Sequence, residues 1–184
     1  ELTRYSRSLT GLRTDYAGFD DWFAKCARQH RKCWVVEGGG ALAGIVIRKD
    51  ETRPEASIVS PGNKILKLRT CKMAPAFRGE KFGEQLLKQC LWYAQSNGYD
   101  VVYLTAYDAK DDLLHLLQAY GFKVTSRQGN GELIVEKVMR KGPLPVVAQN
   151  DIIDLDRASY PRFADGEEVA KYCVPIPGAY HETL

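Results

Sequence analysis

The sequence predicts an α+β fold, a mixed sheet carrying helices, and three observations lead there. Stretches with helical apolar spacing and stretches with strand-like character follow one another from residue 19 in the order α-β-β-β-α-β-α-β-β. The segment Tyr99 to Tyr107 is nearly all apolar and β-rich, as a strand covered on both faces should be. A strand-like run ending at Met73 passes through Pro75 and then Arg78-Gly79-Glu80-Lys81-Phe82-Gly83 before an amphipathic helix begins.

In chain order, Phe19, Trp22, Phe23 and Cys26 fall on one face of a first helix. Cys33 to Glu37 and Ala41 to Ile47 flank three glycines and read as a hairpin. Residues 48–63 hold two prolines and many charges, which predicts an exposed connection. Ile65, Leu66, Leu68, Thr70 and Met73 give a third strand, interrupted by Lys67, Arg69 and Lys72. Those cations, with Lys64, read as solvated charges on a strand face, with attraction of an acidic acceptor or RNA as the alternative. The helix from Phe82 carries Leu86, Leu87, Cys90, Leu91 and Ala94 at helical spacing, and Asn97-Gly98 supplies a left-handed stop. Asp111 or Asp112 can cap the next helix, which bears Leu113, Leu114, Leu116 and Leu117 and closes at Gly121. Phe122 to Val124 and Glu132 to Val138 are short strands around the polar turn Arg127 to Gly131.

Lys141-Gly142-Pro143-Leu144-Pro145 breaks the pattern. The expected organisation is therefore one domain over residues 1–140, with 141–184 an extension or the start of a further module. Lys171 to Val174 is the strand-like stretch of that tail. The chain does not begin with methionine, which predicts fused or neighbouring domains beyond its termini.

Composition narrows the function. An apolar fraction of 45% and a charged fraction of 27% are those of a globular protein. No apolar run approaches the roughly 20 residues a bilayer span needs, so no membrane partner is expected. A net charge of +3 suits acidic ligands but lacks the dense basic stripe of a nucleic-acid binder. Five irregularly spaced cysteines without a Cys-x-x-Cys pair predict neither a zinc site nor a disulfide framework. A reducing, cytoplasmic location is the simplest reading.

The turn Arg78 to Gly83 carries the chemistry. A strand entering a glycine-bearing turn at a helix N-terminus presents unpaired N–H groups in one direction, and a pyrophosphate is a natural guest. With Leu68 to Leu87, Val101 to Ala106 and Leu113 to Phe122 on the page, the chain resembles the GNAT superfamily of acetyl-CoA-dependent N-acyltransferases over roughly residues 19–140. Met73-Ala74-Pro75 and the turn look like the family's coenzyme motif, Val101 to Ala106 like its fifth strand, and Gly121-Phe122 like its habitual helix ending. The resemblance implies a mostly antiparallel sheet with helices on both faces and a splayed central strand pair. It implies acetyl-CoA as cosubstrate, no metal, and direct transfer to a primary amine of unknown identity. Cys71 and Met73 would lie along the pantetheine, and a backbone N–H near them would support the oxyanion. Arg78, Gly79, Glu80, Lys81, Phe82 and Gly83 would hold the pyrophosphate.

Three departures stand out. Lys81 occupies the family's middle glycine, which disfavours positive φ yet adds a cation. Leu117 stands where a proton-donating tyrosine is common. The strand Ile65 to Met73 has no acid to act as base. His115 and Tyr107 are the remaining proton-donor candidates. His115 lies about 200° around the helix from Leu117 and reads first as a surface histidine. Tyr107 ends the apolar strand beside Asp108, while Tyr120 reads as packing. Cys71 reads as a structural thiol rather than a nucleophile, and Glu37 and Glu55 as surface carboxylates rather than remote bases. A non-catalytic acetyl-CoA-binding module, or a protein- or RNA-interaction module on the same fold, is the alternative function.

Overall fold

The computed structural model describes residues 19–29, 31–39, 41–79, 81–139, 146–147, 152–153 and 157–161. Elements are numbered here in chain order among them. Helix α1 (Phe19–Arg28) precedes β1 (Lys32–Gly38), β2 (Ala41–Glu51) and β3 (Ile65–Met73). A 3-10 turn (Pro75–Phe77) leads to α2 (Phe82–Ser96), β4 (Val101–Ala106), α3 (Asp111–Ala119), β5 (Lys123–Arg127) and β6 (Leu133–Val138). The strands form one six-stranded sheet in the order β1-β2-β3-β4-β6-β5. Every neighbouring pair is antiparallel except β3–β4. Val146–Val147 and Ile152–Ile153 pair separately as β7 and β8.

The glycine-bearing hairpin forms as the sequence predicts: β1 and β2 pair out to Gly38 and Ala41, with Gly39 at φ 56°. Both predicted helix stops form. After α2, Tyr99 N–H reaches Ala94 O and Gly98 N–H reaches Gln95 O, with Gly98 at φ 66°. After α3, Phe122 N–H reaches Leu117 O and Gly121 N–H reaches Gln118 O, with Gly121 at φ 78°. This paired pattern is the Schellman termination, in which a left-handed residue lets the chain satisfy two orphan carbonyls at once. Neither Asp111 nor Asp112 caps α3; both lie in its first turn, where negative charge opposes the helix dipole.

Two faces divide the sheet's side chains. Leu66, Leu68, Val102, Leu104, Leu133 and Val135 pack against Leu86, Leu87, Cys90 and Leu91 of α2 and Leu117 at the end of α3. Ile65, Val101, Tyr103 and Ile134 form a smaller cluster on the other face with Ala56 and Ile58. Burial of apolar surface, about 25 cal/mol per Å², makes the first face the main stabilising layer. A bulge in β3 keeps its two halves on that face. Ile47 pairs with Arg69 and Ile45 with Lys72, so β3 has an extra residue in this interval. Leu66 and Leu68 therefore face α2 before the bulge, and Cys71 and Met73 after it.

Residues 48–63 are not simply an exposed connection. β2 continues to Glu51, and Arg48 and Glu51 are buried. Arg48 is held over the Trp34 and Tyr93 rings, 5.1 and 4.0 Å from their centroids. Further along, Val59 and Ser60 N–H groups each reach the Glu136 carboxylate at 2.8 Å, drawing this segment over the second face. Lys171 to Val174 lies outside the described residues.

Candidate active site

The site begins where the central strands separate. β3 and β4 share only the pairs Ile65–Val101, Leu66–Val102 and Lys67–Tyr103, yet β3 runs to Met73 and β4 to Ala106. Their outer edges remain paired, β3 to β2 as far as Met73–Gly44 and β4 to β6 throughout. Beyond Lys67 and Tyr103 the two facing edges therefore carry main-chain groups with no strand opposite them. Ala74 N–H donates to Ala43 O at 2.8 Å, toward β2. By strand alternation the N–H groups of Met73 and Cys71 point the other way, into the gap.

At the end of β3 the chain turns tightly. Phe77 N–H bonds Ala74 O at 3.0 Å and Arg78 N–H bonds Pro75 O at 3.3 Å. Gly79 follows at φ 88°, where an added Cβ would meet nothing within 4 Å. Its glycine thus answers to backbone angle, not to crowding. Lys81 is at φ 60°, ψ 5°, the left-handed region, despite its side chain. The expected resistance of lysine to this angle is overcome, at a cost of about 1–2 kcal/mol. Helix α2 makes its first bond from Gln85 N–H to Lys81 O, and Lys81 offers no side-chain cap. The N–H groups of Phe82, Gly83 and Glu84 consequently have no acceptor within the helix. The Phe77 and Phe82 rings meet edge to face at 5.9 Å and clasp the turn from both ends.

Met73 links turn and gap. A Cβ on Gly44 would lie 2.3 Å from the Met73 sulfur, so only glycine lets that side chain settle over β2. A Cβ on Gly83 would lie 3.5 Å from Met73 Cγ, an ordinary contact. Cys71 is partly buried, and burial pushes its thiol up to about 11, which removes thiolate character at neutral pH. Glu80 lies outside the described residues.

The proton-donor candidates separate clearly. Tyr107 directly follows the last residue of β4 and is 45% exposed. His115 is on the exposed side of α3. Leu117 is 1% exposed in the main core. Tyr120 is buried, and its hydroxyl donates to Glu84 Oε1 at 2.6 Å, tying the end of α3 to the first turn of α2. Burial and that bond raise the phenol well above its usual range. Tyr160 stacks edge to face on Tyr120 at 5.9 Å, and its hydroxyl reaches Lys88 O.

On the second face lies a charged cluster that sequence reasoning read as solvent-exposed. The Tyr103 hydroxyl donates to Glu51 Oε2 at 2.6 Å, and Lys49 Nζ lies 3.0 Å from Glu51 Oε1. Glu55 accepts from Lys67 at 2.9 Å and is also bound by Arg69 and Lys49. Lys67 is buried, so it and its neighbours are structural ion pairs here, and Glu55 is their shared counter-ion. The alternation of charged residues in β3 could have signalled this, had their partners not been distant in sequence.

Among the described residues no group of His, Cys, Asp and Glu is arranged to hold a metal, and no helix is long and apolar enough to cross a membrane. The profile of the acetyltransferase (GNAT) family matches residues 3–122. The chain belongs to this family. Two rat proteins are similar in sequence. N-acetyltransferase family 8 member 2 is 29% identical over 96 residues, which span 52% of this chain and 40% of that protein. N-acetyltransferase 8F1 is 27% identical over 119 residues, 65% of this chain and 50% of that one. The chain thus matches half or less of the length of these relatives. Among solved structures, an acetyltransferase of Bacillus subtilis in complex with CoA superposes with a TM-score of 0.51 at 17% identity, covering 65% of this chain and 84% of that one. The splayed strand pair and mostly antiparallel sheet of this GNAT chain are the architecture its sequence predicts.

Proposed function

We propose that this GNAT domain is an N-acyltransferase that moves an acetyl group from acetyl-CoA directly to a primary amine. The observation that carries the reading is the parting of β3 and β4 beyond Lys67 and Tyr103, with the uncapped turn of α2 at its mouth. The pyrophosphate would rest on the N–H groups from Gly79 to Gly83, with Arg78 and Lys81 adding positive charge. The pantetheine amides would complete the free edge of β3 beside Cys71 and Met73. The residues fit this guest: the first-turn N–H groups of α2 have no acceptor within the helix and Lys81 gives no side-chain cap, and the edge offers the ladder partners an amide chain needs.

In the transfer itself, the amine nitrogen forms a bond to the thioester carbonyl carbon as the carbon–sulfur bond breaks. The gap-facing N–H of β3 would stabilise the negative charge that develops on the carbonyl oxygen. The amine gives up one proton, to solvent in the absence of an acid on β3, and the departing thiolate takes one. Tyr107 is the proton donor best placed for it. Direct transfer fits a thiol at Cys71 that burial keeps protonated.

The test is thiol release from acetyl-CoA across a panel of primary amines, run beside thermal unfolding with and without acetyl-CoA. Stabilisation with turnover supports the enzyme, because a ligand that binds only the native state raises its stability by mass action. Stabilisation without turnover on any amine supports the coenzyme-binding module, for which Leu117 in the core is the favouring observation. Absence of both would sink the coenzyme site.

A further inference from the structure

Glu84 is the residue best placed to close the open end of α2, and the structure turns it aside. With Lys81 at the N-cap, Glu84 is the third residue of the helix. An acid at that position commonly reaches back to the N-cap N–H as one half of a capping box. Here its Oε1 instead accepts from the Tyr120 hydroxyl at 2.6 Å and lies 3.2 Å from Lys88 Nζ, one turn further along α2. The bond from Tyr120, above all, holds the carboxyl below its usual range, with Lys88 and Arg157 adding to it against the pull of burial.

Tyr120 is itself fixed from the far end of the chain. A 3-10 turn over Arg157–Ser159 runs into Tyr160, whose ring stands edge to face on Tyr120 at 5.9 Å. The Tyr160 hydroxyl donates to Lys88 O at 3.1 Å, on the helix that carries Glu84. The Lys137 ammonium, buried near the end of β6, donates to Tyr120 O at 2.7 Å and to Ala158 O at 2.8 Å. A Cβ on Gly121 would come within 3.2 Å of Ala158, so this C-terminal segment lies flush on the end of α3. The main-chain bonds that stop α3 are complete without any of these contacts. What the phenol adds is a grip on Glu84.

That grip has an electrostatic consequence. A carboxylate turned onto the first N–H groups of α2 would claim those donors and set a negative charge where a pyrophosphate would sit. Held to one side, the same acid still opposes the helix dipole from the first turn while leaving the donors unclaimed.

We infer that Tyr120, braced by Tyr160 of the C-terminal segment, is a positioning residue that keeps Glu84 off the N-terminus of α2 and so holds the coenzyme cradle open. This rests on the proposed coenzyme reading. Tyr120 acts through Glu84 and not on the reacting atoms.

Acetyl-CoA affinity is measured by calorimetry in the wild type, Tyr120→Phe, Glu84→Ala and the double variant. Tyr120→Phe keeps the ring and loses the hydroxyl, and should bind about 5- to 10-fold more weakly, the equilibrium worth of one helix cap. Adding Glu84→Ala should restore wild-type affinity without restoring Tm, because the competing carboxylate is gone while the brace stays broken. Wild-type affinity in Tyr120→Phe overturns the inference. So does a loss that Glu84→Ala does not repair, the mark of a merely structural tyrosine. Tyr160→Ala should weaken binding in the same repairable way; wild-type affinity there overturns the share given to the C-terminal segment. If the wild type does not bind acetyl-CoA, the coenzyme reading falls, and Glu84 is followed by NMR amide exchange at Lys81, Phe82 and Gly83 without ligand. Slower exchange in Tyr120→Phe that reverts in the double variant supports the diversion of Glu84 even then; unchanged exchange overturns it.

Discussion

Lys67 and Tyr103 form the last rung between β3 and β4, and the Lys67 ammonium lies 5.4 Å from the centre of the Tyr103 ring. The Tyr103 hydroxyl meanwhile holds Glu51, 52 residues away in the chain. The point at which the sheet opens is thus pinned on its second face by a buried ionic and aromatic cluster. Tyr103→Phe would leave the buried Glu51 carboxylate short of a donor. The expected loss is about 1–3 kcal/mol, or roughly 2–4 °C in Tm for each kcal/mol in a chain of this size. Thermal unfolding checks it, and a Tm unchanged within error would show that Lys49 and the Glu55 N–H satisfy Glu51 without the phenol.

Gly83 separates fold from coenzyme binding. A Cβ there meets only Met73, at ordinary contact distance, and Gly83 is in the first turn of α2. Gly83→Ala should leave Tm unchanged or raise it slightly, because alanine lowers the entropy of the unfolded chain by about 0.4–1 kcal/mol. If a pyrophosphate approaches that N–H closely, acetyl-CoA affinity falls in Gly83→Ala and is lost in Gly83→Val. Calorimetry showing wild-type affinity in Gly83→Val would place the coenzyme elsewhere.

Lys81 should trade strain against charge. Its left-handed backbone costs about 1–2 kcal/mol, which Lys81→Gly would relieve, offset in part by the extra freedom glycine gives the unfolded chain. The variant is expected to melt at or above the wild-type temperature while binding acetyl-CoA more weakly. Its affinity should also depend less on salt, because one cation near the phosphates is gone. An affinity with unchanged salt dependence would mean that the Lys81 side chain points away from the ligand.

How far the sequence carried depended on the range of each interaction. The turn from Arg78 to Gly83 and the endings at Gly98 and Gly121 were legible because glycine at positive φ and helical spacing are local signals. The angle of Lys81 was not, since nothing in a lysine announces αL geometry. Glu51, Lys67 and Arg69 read as surface charges because their partners lie elsewhere in the chain: Tyr103 for Glu51, and Glu55 for both cations. The two unpartnered guanidinium nitrogens of Arg31 and Arg69 have no sequence signal at all.

Glu136 should make stability depend on pH. Burial pushes its carboxyl up, but hydrogen bonds from Ser60, Thr125 and the Val59 N–H outweigh burial and hold it below the usual range. A carboxyl lowered in the folded state binds fewer protons there than in the unfolded chain. Its contribution is therefore complete above the unfolded value of about 4.3 and is lost as pH falls through the folded value. Urea unfolding between pH 7 and 3 should show Glu136→Gln less stable at pH 7 and less sensitive to acid. Parallel curves for the two proteins would assign the acid sensitivity to other carboxylates.

The departing thiolate distinguishes Tyr107 from His115. Tyr107 directly follows β4, one of the two strands that part at the gap, while His115 is on the exposed side of α3. Leu117, in the position a tyrosine often fills in this family, is sealed in the core by its pairing with Phe122 at the helix end. If Tyr107 protonates the thiolate, Tyr107→Phe lowers kcat by on the order of 100-fold with little change in KM for acetyl-CoA. His115→Ala should leave kcat unchanged. Should kcat survive in Tyr107→Phe and fall in His115→Ala, α3 must move enough in the complex to turn His115 toward the sulfur. Should both variants keep full kcat, the thiolate leaves unprotonated and water supplies the proton after release.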